Sequence, residues 1–167
     1  MLVILSGLPG VGKSTVAREL ARQIGAAHIR IDSIEQAIME SENFCGQMNE
    51  AGYRVGYAVA VDNLRIGRTV VADSVNPLDI TRDAWIEVAR HGGTDAVEVE
   101  LVCSDSTEHR RRIETRPADE PWLKPLTWQD IVSRDYQPWN RKHLIVDTAR
   151  HSVEQVVAII REILPGK

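Results

Sequence analysis

An eight-residue segment near the start of the chain carries the clearest chemical pattern. Residues 7–14 read GLPGVGKS, which matches the G-x-x-x-x-G-K-[ST] pattern of phosphate-binding loops. An apolar stretch, LVIL, precedes the segment, and a helix-forming stretch, STVARELARQI, continues from its last residue. Glycines let backbone N–H groups point at phosphate oxygens, and the N-terminus of the next helix adds a positive dipole end. We therefore expect these residues to bind nucleotide: Gly7, Leu8, Pro9, Gly10, Val11, Gly12, Lys13, Ser14 and Thr15.

Three side chains of this loop have separate expected roles. Lys13 should reach the β and γ phosphates, Ser14 should be a ligand of Mg²⁺, and Thr15 should lie beside the α phosphate. The expected ligands of this loop are thus a nucleoside triphosphate and Mg²⁺. A glycine-rich turn that only joins a strand to a helix is the alternative, and the combination of lysine, hydroxyls and flanking elements argues against it.

A first candidate catalytic carboxylate follows the second apolar run. Asp32 lies directly after residues 27–31 and before a helical pattern. Ligands of parallel sheets bind at the carboxyl ends of the strands, so Asp32 should lie beside the phosphate-binding loop. There it could contact the substrate and, as general base, accept the proton of a hydroxyl that attacks the γ phosphate. The alternative is a helix cap, since Asp32 with Glu35, or Ser33 with Gln36, has the spacing of a capping box.

A second carboxylate ends the run RTVVAD. Asp73 has the position of a Walker B aspartate, which holds Mg²⁺, often through water, close to the substrate. The next residue is Ser74 rather than the glutamate that activates water in motor ATPases. This favours transfer to a substrate over hydrolysis. A capping or turn residue before SVNP is the alternative for Asp73.

An arginine cluster lies in residues 108–117, EHRRRIETRP. Arg112 and Arg116 share one helix face because they are four residues apart. Positive groups are needed around a moving γ phosphate, so both are candidate catalytic residues. The proline-rich segment at 116–127 predicts a loop that closes over the site, within a lid region of about 106–140. A solvated helix face neutralised by Glu108 and Glu114 is the alternative.

One further candidate substrate residue lies on the helical pattern after the second strand. Arg54 is flanked there by Tyr53 and Tyr57, in the region where a substrate would lie against Asp32. Aromatic residues at helical spacing also occur in ordinary packing, which is the alternative for the tyrosines.

The elements that must position these residues alternate along the chain. Five apolar runs of strand length are separated by helical patterns. This order predicts an α/β fold with a parallel sheet covered on both faces, in a single domain over residues 1–167. The predicted strands are 2–5, 27–31, 69–73, 97–103 and 143–147. The predicted helices are near 13–24, 33–40, 47–66, 79–91, 106–116, 127–138 and 152–164.

Composition limits the function classes. The chain has 167 residues, 43% hydrophobic and 26% charged, which is typical of one compact domain. Its two cysteines have no metal-ligand spacing, and its apolar opening is too short for a signal peptide or a membrane span. A net charge of -4 argues against nonspecific binding to nucleic acid. We expect a cytoplasmic protein, monomeric or homodimeric, that does not bind membranes.

Several of these residues together resemble a known group, the P-loop kinases allied to polynucleotide kinase, zeta toxin, chloramphenicol phosphotransferase and gluconate kinase. The resemblance rests on the phosphate-binding loop, on Asp32, on the segment DSVNPLDITRDAW with its Asp73, Asn76 and Arg82, and on the paired Arg112 and Arg116. It implies the P-loop NTPase fold with strand order 2-3-1-4-5 and ATP as donor. It also implies that Asp32 is the general base, Arg82 a substrate-site residue and Arg116 a lid arginine at the transferred phosphate. Asn76 holds a matching place in the substrate segment, and residues 147–152 fall on the adenine side.

The expected function is ATP-dependent transfer of a γ phosphate to a hydroxyl or phosphate of a small molecule, such as a nucleoside, nucleotide, sugar or antibiotic. Three alternatives stay open. One is a nucleotide kinase similar to cytidylate kinase. Another is a non-catalytic GTP-binding switch, against which the chain has no N-K-x-D motif after its fourth strand. The third is a toxin-type interaction protein.

Overall fold

Five parallel strands form the centre of the computed structural model, which describes residues 1–41, 48, 50–115 and 126–165. The strands are β1 (Leu2–Ser6), β2 (Ala27–Arg30), β3 (Val70–Asp73), β4 (Ala96–Val102) and β5 (Leu144–Asp147). Their order in the sheet is β2-β3-β1-β4-β5, and every neighbouring pair is parallel. Each predicted apolar run overlaps one strand, so the predicted fold class and strand order are confirmed.

Helices cover both faces of this sheet. In the described part of the chain they are α1 (Lys13–Ile24), α2 (Ile31–Met39), α3 (Ala51–Arg65), α4 (Asp79–His91), α5 (Ser106–Thr115), α6 (Trp128–Val132) and α7 (Val153–Glu162). Side chains of a strand alternate between faces. Accordingly, Val3 and Leu5 pack with residues of α1 and α7, whereas Leu2 and Ile4 pack with residues of α3 and α4. The central strand is therefore buried on both sides, as its unbroken apolar run requires.

Two of the helices differ from the prediction in ways that affect the site. The helix predicted at 33–40 begins at Ile31, so Asp32 lies in its first turn. The helix predicted at 127–138 is only five residues long, Trp128–Val132, although a capping box of Thr127 and Asp130 starts it. Beyond it, the carbonyls of Gln137 and Pro138 accept hydrogen bonds from an arginine side chain of α4 rather than from a helical turn.

The turn after β1 depends on a glycine. Gly7 has φ of +136°, and a Cβ atom there would lie 2.2 Å from the backbone oxygen of Leu101 in β4. Gly7→Ala should therefore lower the free energy of unfolding by more than the roughly 1–3 kcal/mol of an unfavourable backbone conformation alone. Urea unfolding measures this loss. Gly67→Ala is the matched control, because Gly67 has φ of +79° and open space around it. Equal losses in the two variants would contradict the close contact with Leu101.

Among the described residues, no helix is both long enough and apolar enough to cross a lipid bilayer.

Candidate functional site

The phosphate-binding loop connects β1 to α1 with the expected local geometry. Gly7, Gly10 and Gly12 all have positive φ, at 136°, 84° and 95°. Gly12 is the N-cap residue of α1 and supplies no capping side chain. The first-turn N–H groups of α1 therefore point out of the helix toward the loop, as an anion site requires.

Lys13 crosses the mouth of this loop. Its Nζ donates a hydrogen bond to the carbonyl of Leu8 at 3.0 Å, and the residue is only 8% exposed. The Lys13 charge also acts on the buried carboxyl group of Asp73. A phosphate oxygen is a stronger acceptor than a neutral carbonyl, so the ammonium group can exchange the Leu8 carbonyl for a bound phosphate. That Lys13 reaches the β and γ phosphates stays a prediction.

A cavity of about 1160 Å³ opens over the loop and extends to α2, α5 and the segment after β5. It brings together most of the predicted nucleotide-binding residues with Asp32 and Arg112. The lining residues are Pro9, Gly10, Val11, Gly12, Lys13, Ser14, Thr15, Val16, Arg18, Arg30, Asp32, Glu35, Gln36, Met39, Val75, Arg112, Ile113, Leu126, Arg134, Thr148, His151, Ser152, Val153 and Val156. Gly7 and Leu8 are absent from this lining.

Asp73 lies at the end of β3, next to the loop, and is almost completely buried. Burial alone would raise the pKa of its carboxyl group, but His28, the Lys13 charge and the Ser14 hydroxyl together hold that pKa below its usual value. The carboxylate is therefore charged at neutral pH. Its Oδ2 lies 3.4 Å from His28 Nε2, yet neither atom has a well-aligned hydrogen-bond partner.

These features fit a Mg²⁺ site. A charged, buried carboxylate oxygen without a hydrogen bond, beside a loop hydroxyl, suits an ion that keeps several waters and is held by few protein ligands. Nowhere in the described residues does a group of three or more His, Cys, Asp or Glu side chains lie close enough together to hold a metal ion by itself. Ser14 and Asp73 are the residues that would hold Mg²⁺ here.

Asp32 faces the cavity from the first turn of α2. Its side chain is 52% exposed and lies 3.3 Å from the guanidinium of Arg30. Arg30 is the N-cap residue of α2, and no side chain caps this helix end. The capping alternative for Asp32 is therefore not what the structure contains, and its carboxylate stays accessible from the cavity.

The arginine cluster on α5 divides into two kinds of residue. Arg110 and Arg111 are exposed and pair with Glu114 and Glu108, as a solvated helix face would. Arg112 also pairs with Glu108, at 2.8 Å, but in addition it reaches the segment after β5. There it donates to the Thr148 hydroxyl at 3.0 Å and to the Thr148 carbonyl at 3.1 Å. Arg112 thus lies on the cavity wall. Arg116 and most of the predicted proline-rich lid loop lie outside the described residues.

Besides Asp73, three residues expected at the substrate do not line the cavity. Arg54 is exposed on α3 and pairs with Glu50 at 3.1 Å. Asn76 is completely buried behind the loop, where its side-chain amide donates to Ser6 Oγ at 2.9 Å. Their substrate roles stay predictions, without support from the geometry of the described residues.

Arg82, the third of these residues, is fully buried. Its guanidinium donates to carbonyl oxygens of residues 76, 77, 137 and 138 and to Asp79. The Trp139 ring stacks on it, with the Arg82 Cζ 4.3 Å from the ring centroid. Arg82 therefore connects the segment after α6 to the loop that contains Asn76. Because these contacts use its guanidinium donors, none is directed at the cavity.

Sequence reasoning missed a histidine that contacts the phosphate-binding loop. His109 on α5 is 5% exposed, and its Nε2 lies 2.7 Å from the carbonyl oxygen of Pro9. A carbonyl can only accept, so Nε2 carries a proton. The ring also packs edge-on against Trp128, at the start of α6. His109 thus connects the loop to both helices that flank residues 116–125. In the sequence, the feature that could have indicated this role was the position of His109 three residues before Arg112, on the same side of the helix.

Removal of this hydrogen bond should weaken nucleotide binding. His109→Phe leaves the Pro9 carbonyl without its buried donor, at a cost of roughly 1–3 kcal/mol. If this cost falls on the binding conformation of the loop, ADP affinity should fall by about 5-fold to 150-fold. His109→Gln keeps an N–H at similar reach and should bind within about threefold of wild type. Calorimetric titration with ADP measures both. His91→Phe, on the exposed end of α4, is the control. Equal ADP affinity in His109→Phe and wild type would contradict a role of this contact.

Comparisons with known proteins agree with the fold. The model of a family described as an AAA domain matches residues 2–131. The replication factor C large subunit of Pyrobaculum arsenaticum is 30% identical over 162 residues, which are 96% of this chain and 31% of that protein. The chain thus spans about a third of that relative. The cytidylate kinase of Aeropyrum pernix is 24% identical over 95% of this chain and 96% of its own length.

Solved structures with similar folds include two kinases of small molecules. The APS kinase of Mycobacterium tuberculosis, in complex with AMPPNP and APS, has a TM-score of 0.72 at 21% identity, covering 96% of this chain and 95% of that one. A gluconokinase from Sinorhizobium meliloti 1021 has a TM-score of 0.63 at 21% identity, and the match covers 96% of this chain and 93% of that one.

A third similar structure is Kti12 of Chaetomium thermophilum in complex with ADP-AlF3. Its TM-score is 0.71 at 19% identity, and the match covers 99% of this chain and 100% of that one. At such identities the likeness of the three structures concerns the fold alone. From the family match over residues 2–131, the chain belongs to the family described as an AAA domain, and its sheet order and loop give it the fold of the P-loop kinase-like group.

Proposed function

We propose that this protein transfers the γ phosphate of ATP to a small molecule. The observation that carries the proposal is one continuous cavity lined both by the phosphate-binding loop and by the carboxylate of Asp32. A carboxylate beyond the phosphates can accept the proton of an attacking hydroxyl and so accelerates transfer, a role that nucleotide binding alone does not use. Ser74, in place of a glutamate after Asp73, is consistent with an acceptor other than water.

In this proposal the residues of the loop bind the donor. The N–H groups of the first turn of α1 and Lys13 hold the β and γ phosphates, and Ser14 with Asp73 would hold Mg²⁺, which neutralises charge at those phosphates. Arg112 acts from the nucleotide side, since Glu108 and Thr148 fix its guanidinium on the cavity wall. Arg116 is proposed to contact the moving phosphate.

Transfer then needs one proton acceptor. The acceptor hydroxyl oxygen attacks the γ phosphorus, the bond from this phosphorus to the bridging oxygen breaks, and ADP leaves. Asp32 takes the hydroxyl proton and later releases it to water. Half exposure keeps Asp32 in contact with solvent, so this proton has a route out.

A second candidate is a nucleotide kinase, in which the acceptor atom is a phosphate oxygen. The likeness to a cytidylate kinase along nearly the whole length of both proteins favours it. The two candidates share the donor site and differ in whether the acceptor carries a phosphate.

An acceptor library tests the proposal. Wild-type protein with ATP and Mg²⁺ is incubated with sugars, cyclitols, nucleosides, nucleoside monophosphates and aminoglycosides, and ADP release and product masses are measured. The proposal expects at least one acceptor to raise ADP release and to gain one phosphate. Hydrolysis that no acceptor changes, without a phosphorylated product, would contradict it.

A further inference from the structure

One face of α2 forms a separate wall of the cavity. Asp32, Glu35, Gln36 and Met39 recur every three or four residues, so they lie along one side of the helix, and all four line the cavity. We call these four residues the α2 wall. Three of them carry oxygen acceptors, and the fourth is apolar.

The charges at this wall differ from those near the phosphate-binding loop. Among the described residues that line the cavity, the acidic side chains are Asp32 and Glu35 alone, both on the α2 wall. Arg30 lies 3.3 Å from Asp32, and Arg134 acts electrostatically on Glu35. Each carboxylate at the wall therefore faces one guanidinium. The loop end of the cavity, by contrast, has Lys13 and Arg112 with no acidic side chain among its described lining residues.

Glu35 is held in place by the neighbouring helix. A Cβ atom at Gly52 of α3 would lie 2.2 Å from Glu35 Cγ and 2.9 Å from Oε1. Glycine at this position thus lets the backbone of α3 press against the Glu35 side chain. Burial, followed by the charge of Asp32, raises the pKa of Glu35, and Arg134 opposes that shift. Arg30 and Arg134 already lie opposite the two carboxylates. A further negative charge beside Glu35, such as that of a phosphate, would be repelled by both carboxylates.

We propose that the α2 wall binds an uncharged acceptor with several hydroxyls, such as a sugar, cyclitol or nucleoside, and that Glu35 excludes acceptors that already carry a phosphate. Carboxylate and amide oxygens accept hydrogen bonds from hydroxyls, while the two guanidiniums donate to them. A polyhydroxylated molecule satisfies both kinds of group without adding net charge. This inference rests on the proposed function for the reaction at Asp32, and it selects a hydroxyl rather than a phosphate as the acceptor group.

Matched pairs of probes test this inference by binding. Calorimetric titrations in the presence of ADP and Mg²⁺ compare cytidine with cytidine 5′-monophosphate, glucose with glucose 6-phosphate, and myo-inositol with inositol 1-phosphate. The proteins are wild type, Glu35→Gln, which keeps the side-chain shape, and Glu35→Lys. Glu87→Gln, on the exposed surface of α4, is the control, and thermal melts verify folding.

We expect wild type to bind at least one uncharged probe about tenfold or more tightly than its phosphorylated partner. The ratio of the affinities for the uncharged and the phosphorylated probe should fall by about tenfold or more in Glu35→Lys. It should fall by less in Glu35→Gln and stay unchanged in Glu87→Gln. If Glu35→Lys fails to fold, Glu35→Gln must still lower the ratio. The inference is overturned if no uncharged probe binds, or if the phosphorylated partners bind wild type equally or better. It is also overturned if the ratio of the two affinities is the same in the Glu35 variants as in wild type.

Transfer is measured separately with ATP. Selective, Glu35-dependent binding of an uncharged probe without any transfer supports the chemistry of the α2 wall and overturns only the proposed function. Transfer to phosphorylated probes alone would support the proposed kinase activity and would overturn the inference about an uncharged acceptor.

Discussion

Lys13→Ala should lower kcat/KM for phosphoryl transfer by about 10³-fold or more. The reason is that the loop glycines supply dipoles but no formal charge, so no nearby group of the loop replaces the ammonium at the β and γ phosphates. In the structure Lys13 is nearly buried and is held at the loop by the Leu8 carbonyl. Its loss removes the hydrogen bond to Leu8 and a positive charge that acts on buried Asp73, and we expect a smaller effect on stability than on activity.

Steady-state kinetics with an identified acceptor and thermal melts measure the two effects. Lys142→Ala is the control, since Lys142 is exposed and lies outside the cavity lining. It removes the same side chain without touching the loop. Turnover near the wild-type level in Lys13→Ala would remove the phosphate-binding loop from the mechanism.

Two central strands, β1 and β3, could be predicted from the sequence because they are buried on both faces. Such strands must be apolar over most of their length, and the runs LVIL and VVA meet this requirement without reference to the rest of the chain. The strand order came from the family resemblance, and the pairings of β1 with β3 and β4 confirm it. The short α6 could not be predicted, because residues after Val132 exchange helical hydrogen bonds for contacts with Arg82, about fifty residues earlier in the chain.

In the candidate site, too, local patterns could be predicted from the sequence, whereas contacts between residues far apart in the chain could not. The phosphate-binding loop is a local pattern, and spacing alone located it. The contact of His109 with Pro9 joins residues 100 positions apart, and that of Arg112 with Thr148 joins residues 36 apart. Neither has a sequence signature. Family resemblance expected Arg82 at the substrate, whereas its buried guanidinium connects two segments of the protein.

Asp32→Asn separates a catalytic role from a structural one. The substitution leaves the side-chain volume nearly unchanged and removes the negative charge. In the folded protein that charge interacts with the first turn of α2 and with Arg30 at 3.3 Å. A first-turn carboxylate and an exposed ion pair each contribute at most about 1 kcal/mol. The free energy of unfolding should therefore fall by no more than about 2 kcal/mol, and ADP affinity should stay near that of wild type.

Activity should respond much more strongly. An amide cannot accept the hydroxyl proton, so kcat should fall by about 10²-fold or more. Thermal melts, ADP titrations and steady-state kinetics on the same preparations separate the three quantities. Asp62→Asn, at an exposed position of α3, is the control for the loss of one surface carboxylate. Full transfer activity in Asp32→Asn would remove Asp32 from the mechanism. Asp73 would then be the next carboxylate to test, because it is charged, buried and adjacent to Lys13 and Ser14.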